Sequence, residues 1–462
     1  SRLMAVIRES PHDTVLIYVH GGRISYDRAF PRVATRGAAI DSAGYFPLFI
    51  NWNGSVSSSL WWHLLRMRQG QDWGPVRGVL SSPFVATAAL GRAVSRAPLT
   101  TMHQAADYCR TLGGLARGDV EGRVEQSRFC RVPGVDAARR EQAAFERAQR
   151  VLAFAGTPVE PPTLNIGIGT HDVGYREGTM RVLAGAATIP SKLVLAPVAD
   201  GFGVGAWGEL RRRVNHLIHT RSELVPDGDV HSEYRPAEGY VHALMDSLQA
   251  LMRAQAADTV PVERRRQRSV ILAGHSMGTI VVDQILSHFP DLDVGRIIYL
   301  APATTVAELE AGVVRFLERH PRTTYYHGML HPYADAGEWQ PGLLDLVPRG
   351  SLLEWVDDYL TTPDTPMDRV SGKWSNLVVA THIFTPAVRG RVVIKAFGVK
   401  DPADAWSPVL YEGIGRHAGF SDPAFAFWDD RYWQLRPHRT RRGTIVAPTP
   451  PGLRNLGDVQ FP

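Results

Sequence analysis

The chain has 462 residues, of which 44% are hydrophobic and 21% are charged, a composition typical of a globular protein. Its 51 Lys and Arg residues against 46 Asp and Glu residues give a net charge of +5, which is small and spread along the chain and therefore gives no indication of nucleic-acid binding. Two cysteines, Cys109 and Cys130, cannot form a zinc site by themselves and lack the spacing of a redox pair. A local disulfide and two free thiols both fit them.

The first strong element along the chain is a buried strand at Thr14–Val19, which is apolar and rich in β-branched residues. The segment before it has room for only one short strand, which we predict at 3–7. A glycine turn, His20-Gly21-Gly22, follows the strand directly. Helix-like sequence at 28–42 and a second strand within 44–52 come next, and Asn53-Gly54 ends that strand with a turn signal.

Residues 53–262 form a large insertion before the next strong strand. They include the tryptophan pair Trp61-Trp62, a helix predicted at 136–154 and two apolar stretches near Phe84 and Phe202. Prolines and charged residues interrupt both stretches, so neither is convincing as a membrane span. We interpret them as lid or interfacial segments that contact lipid, although buried helices of an α-helical cap fit equally well. Residues 164–170 lack the third glycine and the partner acid of a dinucleotide-binding loop.

The strongest motif is Gly274-His275-Ser276-Met277-Gly278. An unbroken apolar run precedes it, as in a buried parallel strand, and the run after Gly278 continues at helical spacing. Ser276 is therefore predicted on a tight strand-to-helix turn, which needs small residues on both sides. Its hydroxyl would project from the sheet edge, close to the N–H groups of the following helix, which favour a developing oxyanion. Ser276 is the candidate nucleophile.

Strands and helices alternate after this motif. Strands are predicted at 295–303, 323–330 and 391–397, and helices at 306–318 and 351–360. This alternation predicts an α/β fold with a doubly wound, mostly parallel sheet, in which chemically active residues lie at the carboxyl ends of the strands.

A serine hydroxyl needs a base within hydrogen-bond reach and an acid that orients the base. His417 is the candidate base, because it lies after the last predicted strand in a loop flanked by glycines. His438 lies in a basic segment that resembles an exposed tail, and His382 lies in an apolar stretch that resembles a core strand.

The candidate acid is Asp335, which lies just after the strand at 323–330. Asp357 and Asp358, on the helix predicted at 351–360, are the first alternatives, and Asp364 and Asp368 follow them. A helix cap or a turn is the usual role of any single aspartate, so the sequence leaves this choice open.

The His20-Gly21-Gly22 turn, the Gly274 to Gly278 motif and the His417 loop together resemble the α/β-hydrolase superfamily, in its lipase and esterase branch. The resemblance implies a catalytic core at 1–52 and 263–462 with reduced leading strands, and a mainly helical lid at 53–262. It also implies an oxyanion hole formed by the backbone N–H groups of Gly22 and Met277, and chemistry that requires neither a metal ion nor an organic cofactor.

The resemblance further implies a serine esterase or lipase that cleaves carboxylic esters with a hydrophobic acyl chain, or lipids, through an acyl-enzyme. An acyltransferase with the same triad, or a non-catalytic binding module, are the alternatives. Expected partners are the hydrophobic ester and a membrane or lipid interface contacted through the insertion, with no nucleic acid. The exact substrate and the oligomeric state stay open, and an exported or membrane-associated location is favoured over a cytoplasmic one.

Overall fold

The structure is a computed structural model that describes residues 2–22, 26–68, 71–117, 164–168, 187–219, 239–257, 261, 267–330, 334–335, 338, 345–397, 414–434, 438–439 and 445–446. These residues form a parallel β-sheet with flanking helices, which agrees with the predicted α/β class.

Seven strands form the main sheet, in the order β2-β1-β6-β7-β8-β9-β5, and every neighbouring pair is parallel. Two short antiparallel hairpins lie outside it, β3 with β4 and β10 with β11. The strands are β1 Thr14–Val19, β2 Phe46–Ile50, β3 Met67–Arg68, β4 Gln71–Asp72, β5 Asn165–Ile168, β6 Ser269–His275, β7 Val294–Leu300, β8 Thr324–Leu330, β9 Val392–Phe397, β10 His438–Arg439 and β11 Ile445–Val446.

Helices connect and cover the strands. The longer ones are α1 Arg2–Glu9, α2 Tyr26–Ser42, α3 Val56–Leu65, α4 Gly74–Arg117, α5 Ile189–Ile218, α6 Tyr240–Ala256 and α7 Gly278–His288. In the C-terminal part, α8 Val306–Leu309 continues through the π-helical segment Glu310–Val314 into α9 Arg315–Arg319, and α10 Leu352–Trp355 continues into the π-helical segment Val356–Leu360. Two short helices, α11 Trp374–Val379 and α12 Pro386–Arg389, precede β9, and 3₁₀ turns occur at Pro366–Asp368, Thr381–Ile383, His417–Ser421 and Asp430–Trp433.

The winding of the sheet reverses at β1. This strand pairs with β2 on one side and with β6 on the other, so that Val19 faces both Ile50 and Gly274. The carboxyl ends of β1 and β6 therefore lie side by side at a topological switch point, where α/β sheets characteristically form a crevice.

The sheet is the centre of the hydrophobic core. Every residue of β9 is buried, and all but the first residue of β1, β6 and β8 are buried. Strands that are covered on both faces have continuous apolar sequences, and for this reason they could be predicted from the sequence. The predicted boundaries of these strands and of α2 agree with the structure within about two residues.

Two local predictions are wrong. Residues 3–7 lie in helix α1 instead of a strand, and Met4 and Ile7, which are three residues apart, face the core together. The apolar stretch around His382 forms α11 and the 3₁₀ turn Thr381–Ile383 instead of a strand, and His382 is exposed. These short helices occupy the connection between β8 and β9, which are parallel neighbours and therefore need a crossover.

The insertion contributes to the core as well as covering it. Strand β5, part of the discounted 164–170 segment, pairs with β9 at the edge of the main sheet. Val241 and Met245 of α6, and Trp207 of α5, belong to the same hydrophobic cluster as the sheet. The helix predicted at 136–154 and Cys130 lie outside the described residues. None of the helices in the described part of the chain is long and apolar enough to cross a membrane.

Candidate active site

Ser276 lies on the predicted strand-to-helix turn. It follows the last residue of β6, and α7 begins two residues later at Gly278. Its φ of 52° is in the left-handed region, which a residue with a side chain rarely adopts. Such a conformation costs about 1–2 kcal/mol and persists only where the surrounding structure enforces it.

Close packing around the turn enforces this conformation. A Cβ atom at Gly278 would lie 2.2 Å from the carbonyl oxygen of Val19, at the end of β1. The Ser276 hydroxyl is buried and has no hydrogen-bond partner within the described residues. A buried, unsatisfied hydroxyl on a strained turn is unfavourable for stability, and strained residues of this kind cluster at active sites.

The His20-Gly21-Gly22 turn lies against the Ser276 turn. A Cβ atom at Gly21 would lie 2.8 Å from Cβ of Ser276, and one at Gly22 would lie 3.1 Å from Sδ of Met277. The structure therefore brings Gly22 and Met277, the two predicted oxyanion residues, together beside the serine. Trp52 fixes the turn, because its backbone N–H donates to His20 Nε2 at 3.1 Å and its indole N–H donates to the His20 carbonyl at 2.9 Å.

His417 is buried at the start of the 3₁₀ turn His417–Ser421, and both its backbone N–H and its carbonyl group are held by side chains. Its backbone N–H donates to Glu338 Oε2 at 2.7 Å. Its carbonyl oxygen lies 3.3 Å from Nε2 of His275, the residue that precedes the candidate nucleophile. The two imidazole rings are 5.1 Å apart, so the structure brings the His417 loop to the Ser276 turn.

The His275 contact fixes the state of that imidazole. A carbonyl oxygen can only accept, so Nε2 of His275 carries the hydrogen. Burial, together with the nearby His417, lowers the pKa of His275 well below its usual value, and the ring is neutral. His275 therefore positions the His417 loop as a neutral donor.

Asp335 is buried after the end of β8, three residues before Glu338. Burial and the neighbouring Glu354 carboxylate raise its pKa well above the usual value, while the ammonium of Lys373 acts in the opposite sense. Its Oδ1 has no hydrogen-bond partner within the described residues. Glu338, which follows Asp335 closely in sequence, thus contacts the backbone of His417 through its carboxylate.

The alternative acids make other contacts. Asp357 accepts from the backbone N–H of Val370 at 3.0 Å and from the Asn376 amide at 2.7 Å, and it also pairs with Arg369. Oδ1 of Asp358 lies 3.9 Å from Nδ1 of His103. Asp368 caps a 3₁₀ turn, and Asp364 is exposed.

The candidate triad is not joined by hydrogen bonds across the described part of the chain. No bond links the Ser276 hydroxyl to His417, and Asp335 Oδ1 donates to or accepts from no side chain there. Catalytic hydrogen bonds are often long in a protein without substrate and shorten when it binds. Sequence reasoning missed Glu338, which carries no motif, and His275, which it took as the variable residue of the glycine-serine motif.

An apolar cavity of about 40 Å³ opens beside Gly22 and Met277. Helix α5 forms most of its cover, through Gly203, Ala206, Trp207 and Leu210, and Val56, Leu352 and Leu360 complete the lining. All of these residues are apolar, so the space beside Gly22 and Met277 suits a hydrocarbon chain better than a polar group.

Comparisons of the chain with protein-family models, with curated proteins and with solved structures found no match.

Proposed function

We propose that this protein is a serine hydrolase of the α/β-hydrolase type that cleaves carboxylic esters with hydrophobic acyl chains. The observation that carries the proposal is the strained, buried Ser276 on the turn between β6 and α7, with an unbonded hydroxyl at the switch point of the sheet. The neighbouring glycines and the His417 loop support it, since they are parts that such a nucleophile requires.

In the proposed reaction, Oγ of Ser276 attacks the ester carbonyl carbon while His417 takes the hydroxyl proton. The N–H groups of Gly22 and Met277 stabilise the negative charge on the carbonyl oxygen. The bond to the alcohol then breaks, and the alcohol leaves with the proton from His417. Water attacks the acyl-enzyme in the same way and releases the carboxylic acid. We expect the Ser276–His417 hydrogen bond to form when the substrate binds.

The hydrophobic acyl preference rests on the cavity beside Gly22 and Met277. Its lining is apolar, and it includes Gly22 and Met277, the two candidate oxyanion residues. A hydrocarbon chain in this space is removed from water, which contributes about 0.8 kcal/mol per buried methylene group.

The test is to replace the nucleophile. Ser276→Ala should lower kcat for p-nitrophenyl octanoate by about 10⁴-fold or more, and His417→Ala should cost a similar factor, because the two residues act as a unit. A fluorophosphonate probe should label the wild-type protein and leave Ser276→Ala unlabelled.

The control is Ser287→Ala, an exposed serine on α7 whose hydroxyl donates to the Asp283 carbonyl at 2.9 Å, and it should keep full activity. Activity of Ser276→Ala within about tenfold of the wild type would reject the proposal. Product analysis with an added acceptor alcohol separates hydrolysis from acyl transfer by the same serine.

A further inference from the structure

Helix α4 exposes a continuous apolar face. Val76, Leu80 and Phe84 recur every four residues, and Val94 lies on the same side of the helix as Val76, about five turns later. The face covers about 39 Å from Val76 to Met102 at 1.5 Å per residue. Its large exposed side chains are Val76, Val79, Leu80, Phe84, Leu90, Val94, Leu99 and Met102.

The opposite side of α4 is fixed against α5, so these residues cannot turn inward. A Cβ atom at Gly201 would lie 2.3 Å from the Ala89 carbonyl oxygen, and Asp200 pairs with both Arg92 and Arg96 at 2.7 Å. The completely buried Asp200 thus holds two arginines of α4.

Helix α5 extends the apolar face. Gly201 of α5 lies opposite Ala89, and the cavity between the helices pairs residues 85–92 of α4 with residues 201–212 of α5. The earlier residues of α5 therefore lie beside the later residues of α4, and the exposed Val194 and Val198 lie beside that end of the α4 face. Together the exposed apolar residues of α4 and α5 form one surface, called the α4–α5 face below.

The charge of this face favours an anionic lipid surface as its occupant. Between Gly74 and Gln104 the chain carries no acidic residue, and because Arg92 and Arg96 pair with Asp200, Arg77 is the exposed arginine of this stretch. Arg77 is exposed and makes no ion pair within the described residues. Trp61 and Trp73 are also exposed, as tryptophan commonly is at the boundary between water and lipid.

We propose that the α4–α5 face docks on a membrane surface that contains anionic lipid, with α4 lying in the plane of the interface. An apolar helix face without acidic residues, with an exposed arginine beside it, fits such a contact. Since Ala206 and Trp207 of α5 line the cavity beside Gly22, the same helix contacts both the docking face and the candidate active site. Passage of a lipid from the membrane to Ser276 rests on the proposed function, whereas docking of the α4–α5 face on the membrane does not.

The test measures binding of the Ser276→Ala protein to sedimented vesicles of phosphatidylcholine with phosphatidylglycerol, so that catalysis cannot alter the vesicles. The Ser276→Ala protein should bind, and the further changes Leu80→Glu and Phe84→Glu should weaken binding at least about tenfold. Arg77→Gln should reduce binding to the anionic vesicles and have less effect with phosphatidylcholine alone.

The matched control is Val6→Glu, which places the same charge on an exposed apolar residue of α1. Helix α1 lies near the amino end of β6, because Arg268, which directly precedes that strand, donates to the carbonyls of Arg8 and Ser10. Circular dichroism checks that each variant folds, and Val94→Glu serves as a second variant.

Binding that the α4 substitutions reduce and Val6→Glu leaves unchanged supports the proposal, whatever the activity of the wild type. The absence of vesicle binding, or equal binding by all variants, overturns it. A dimer that Leu80→Glu with Phe84→Glu dissociates, without vesicle binding, would identify a second copy of the chain as the occupant and would also overturn it.

Discussion

The backbone N–H and carbonyl groups of His417 are held by two side chains that come from distant parts of the chain. Glu338 accepts its N–H at 2.7 Å, and His275 lies 3.3 Å from its carbonyl oxygen. At the end of the same 3₁₀ turn, Arg36 donates to the carbonyl of Asp422 at 2.7 Å. A base that must approach a serine oxygen within about 3 Å depends on such fixed points, because small displacements reduce the rate steeply.

Glu338 is therefore expected to act as a positioning residue for His417. Glu338→Ala removes the acceptor and should lower kcat for octanoate ester by about ten- to hundredfold, with a smaller change in KM. Glu338→Gln retains an oxygen acceptor and should restore most of the activity. Steady-state kinetics and thermal melts of both variants make the measurement.

The comparison between the two variants separates positioning from stability. If Ala and Gln at position 338 have equal kcat, the hydrogen bond to the His417 N–H does not matter for the rate. If kcat of Glu338→Ala falls only under conditions where the lower melting temperature leaves part of the protein unfolded, Glu338 has a purely structural role.

Among the elements, β8 carries a buried histidine that is held in its neutral form. The His327 ring lies 2.6 Å from the Tyr325 hydroxyl through Nδ1 and 3.1 Å from the Ser371 carbonyl oxygen through Nε2. Burial lowers the pKa of His327 to about 3. The unfolded chain takes up a proton near its ordinary pKa of about 6.5, whereas the folded chain does not, so this histidine contributes stability above that pH and loses it as the pH falls.

We expect His327→Gln, which can still donate to Ser371 and accept from Tyr325, to gain stability relative to the wild type in acid. The free energy of unfolding of His327→Gln minus that of the wild type should rise by about 2 kcal/mol from about pH 7.5 to about pH 5. Urea unfolding of both proteins at each pH measures it. The variant must be compared with the wild type at each pH, because other buried groups also titrate. Burial raises the pKa of Asp283 and Asp335, and these carboxyl groups make the folded protein more stable as the pH falls.

A control for this experiment is His382→Gln, which changes the same residue type at an exposed position. Its stability relative to the wild type should vary little with pH. A difference between His327→Gln and the wild type that is the same at both pH values would contradict the prediction.

At the scale of the whole molecule, α5 connects the sheet, the cavity and the outer surface. Its Trp207 belongs to the common core, its Gly203 meets Leu360, and its Gly205 meets His63 of α3. The absence of side chains at these glycines allows the neighbouring elements to approach closely. The cover of the candidate site is thus built into the core, and the acyl specificity should depend on the side chains that α5 presents to the cavity.

We therefore predict a preference for octanoate over acetate esters, and a loss of that preference in Ala206→Phe. The larger ring fills the cavity beside Gly22, so kcat/KM should fall by about tenfold or more for octanoate and change less for acetate. Assays with p-nitrophenyl esters of increasing chain length measure this directly.

Val194→Phe is the matched control, because it adds a ring on the exposed side of the same helix. It should leave the chain-length profile unchanged. A wild-type preference for acetate, or an equal loss on both esters in Ala206→Phe, would show that the cavity does not hold the acyl chain.

The sequence by itself determined the elements whose signal is local. The continuous apolar runs of β1 and β6 predicted buried parallel strands, and the two glycines around Ser276 predicted its turn, because each pattern lies within about ten residues. The sequence also placed His20-Gly21-Gly22 at the end of a strand, and the structure brings that turn against Ser276.

Only the tertiary structure decided the features that depend on distant parts of the chain. Strand β5 is too short to be recognised alone and is identified by its pairing with β9. Residues 3–7 form a helix because Met4 and Ile7 find a core to face. The contacts of His417 with Glu338 and His275 span 79 and 142 residues of sequence. Hydrogen bonds of this kind leave no periodic pattern, so the fold alone selects the partners.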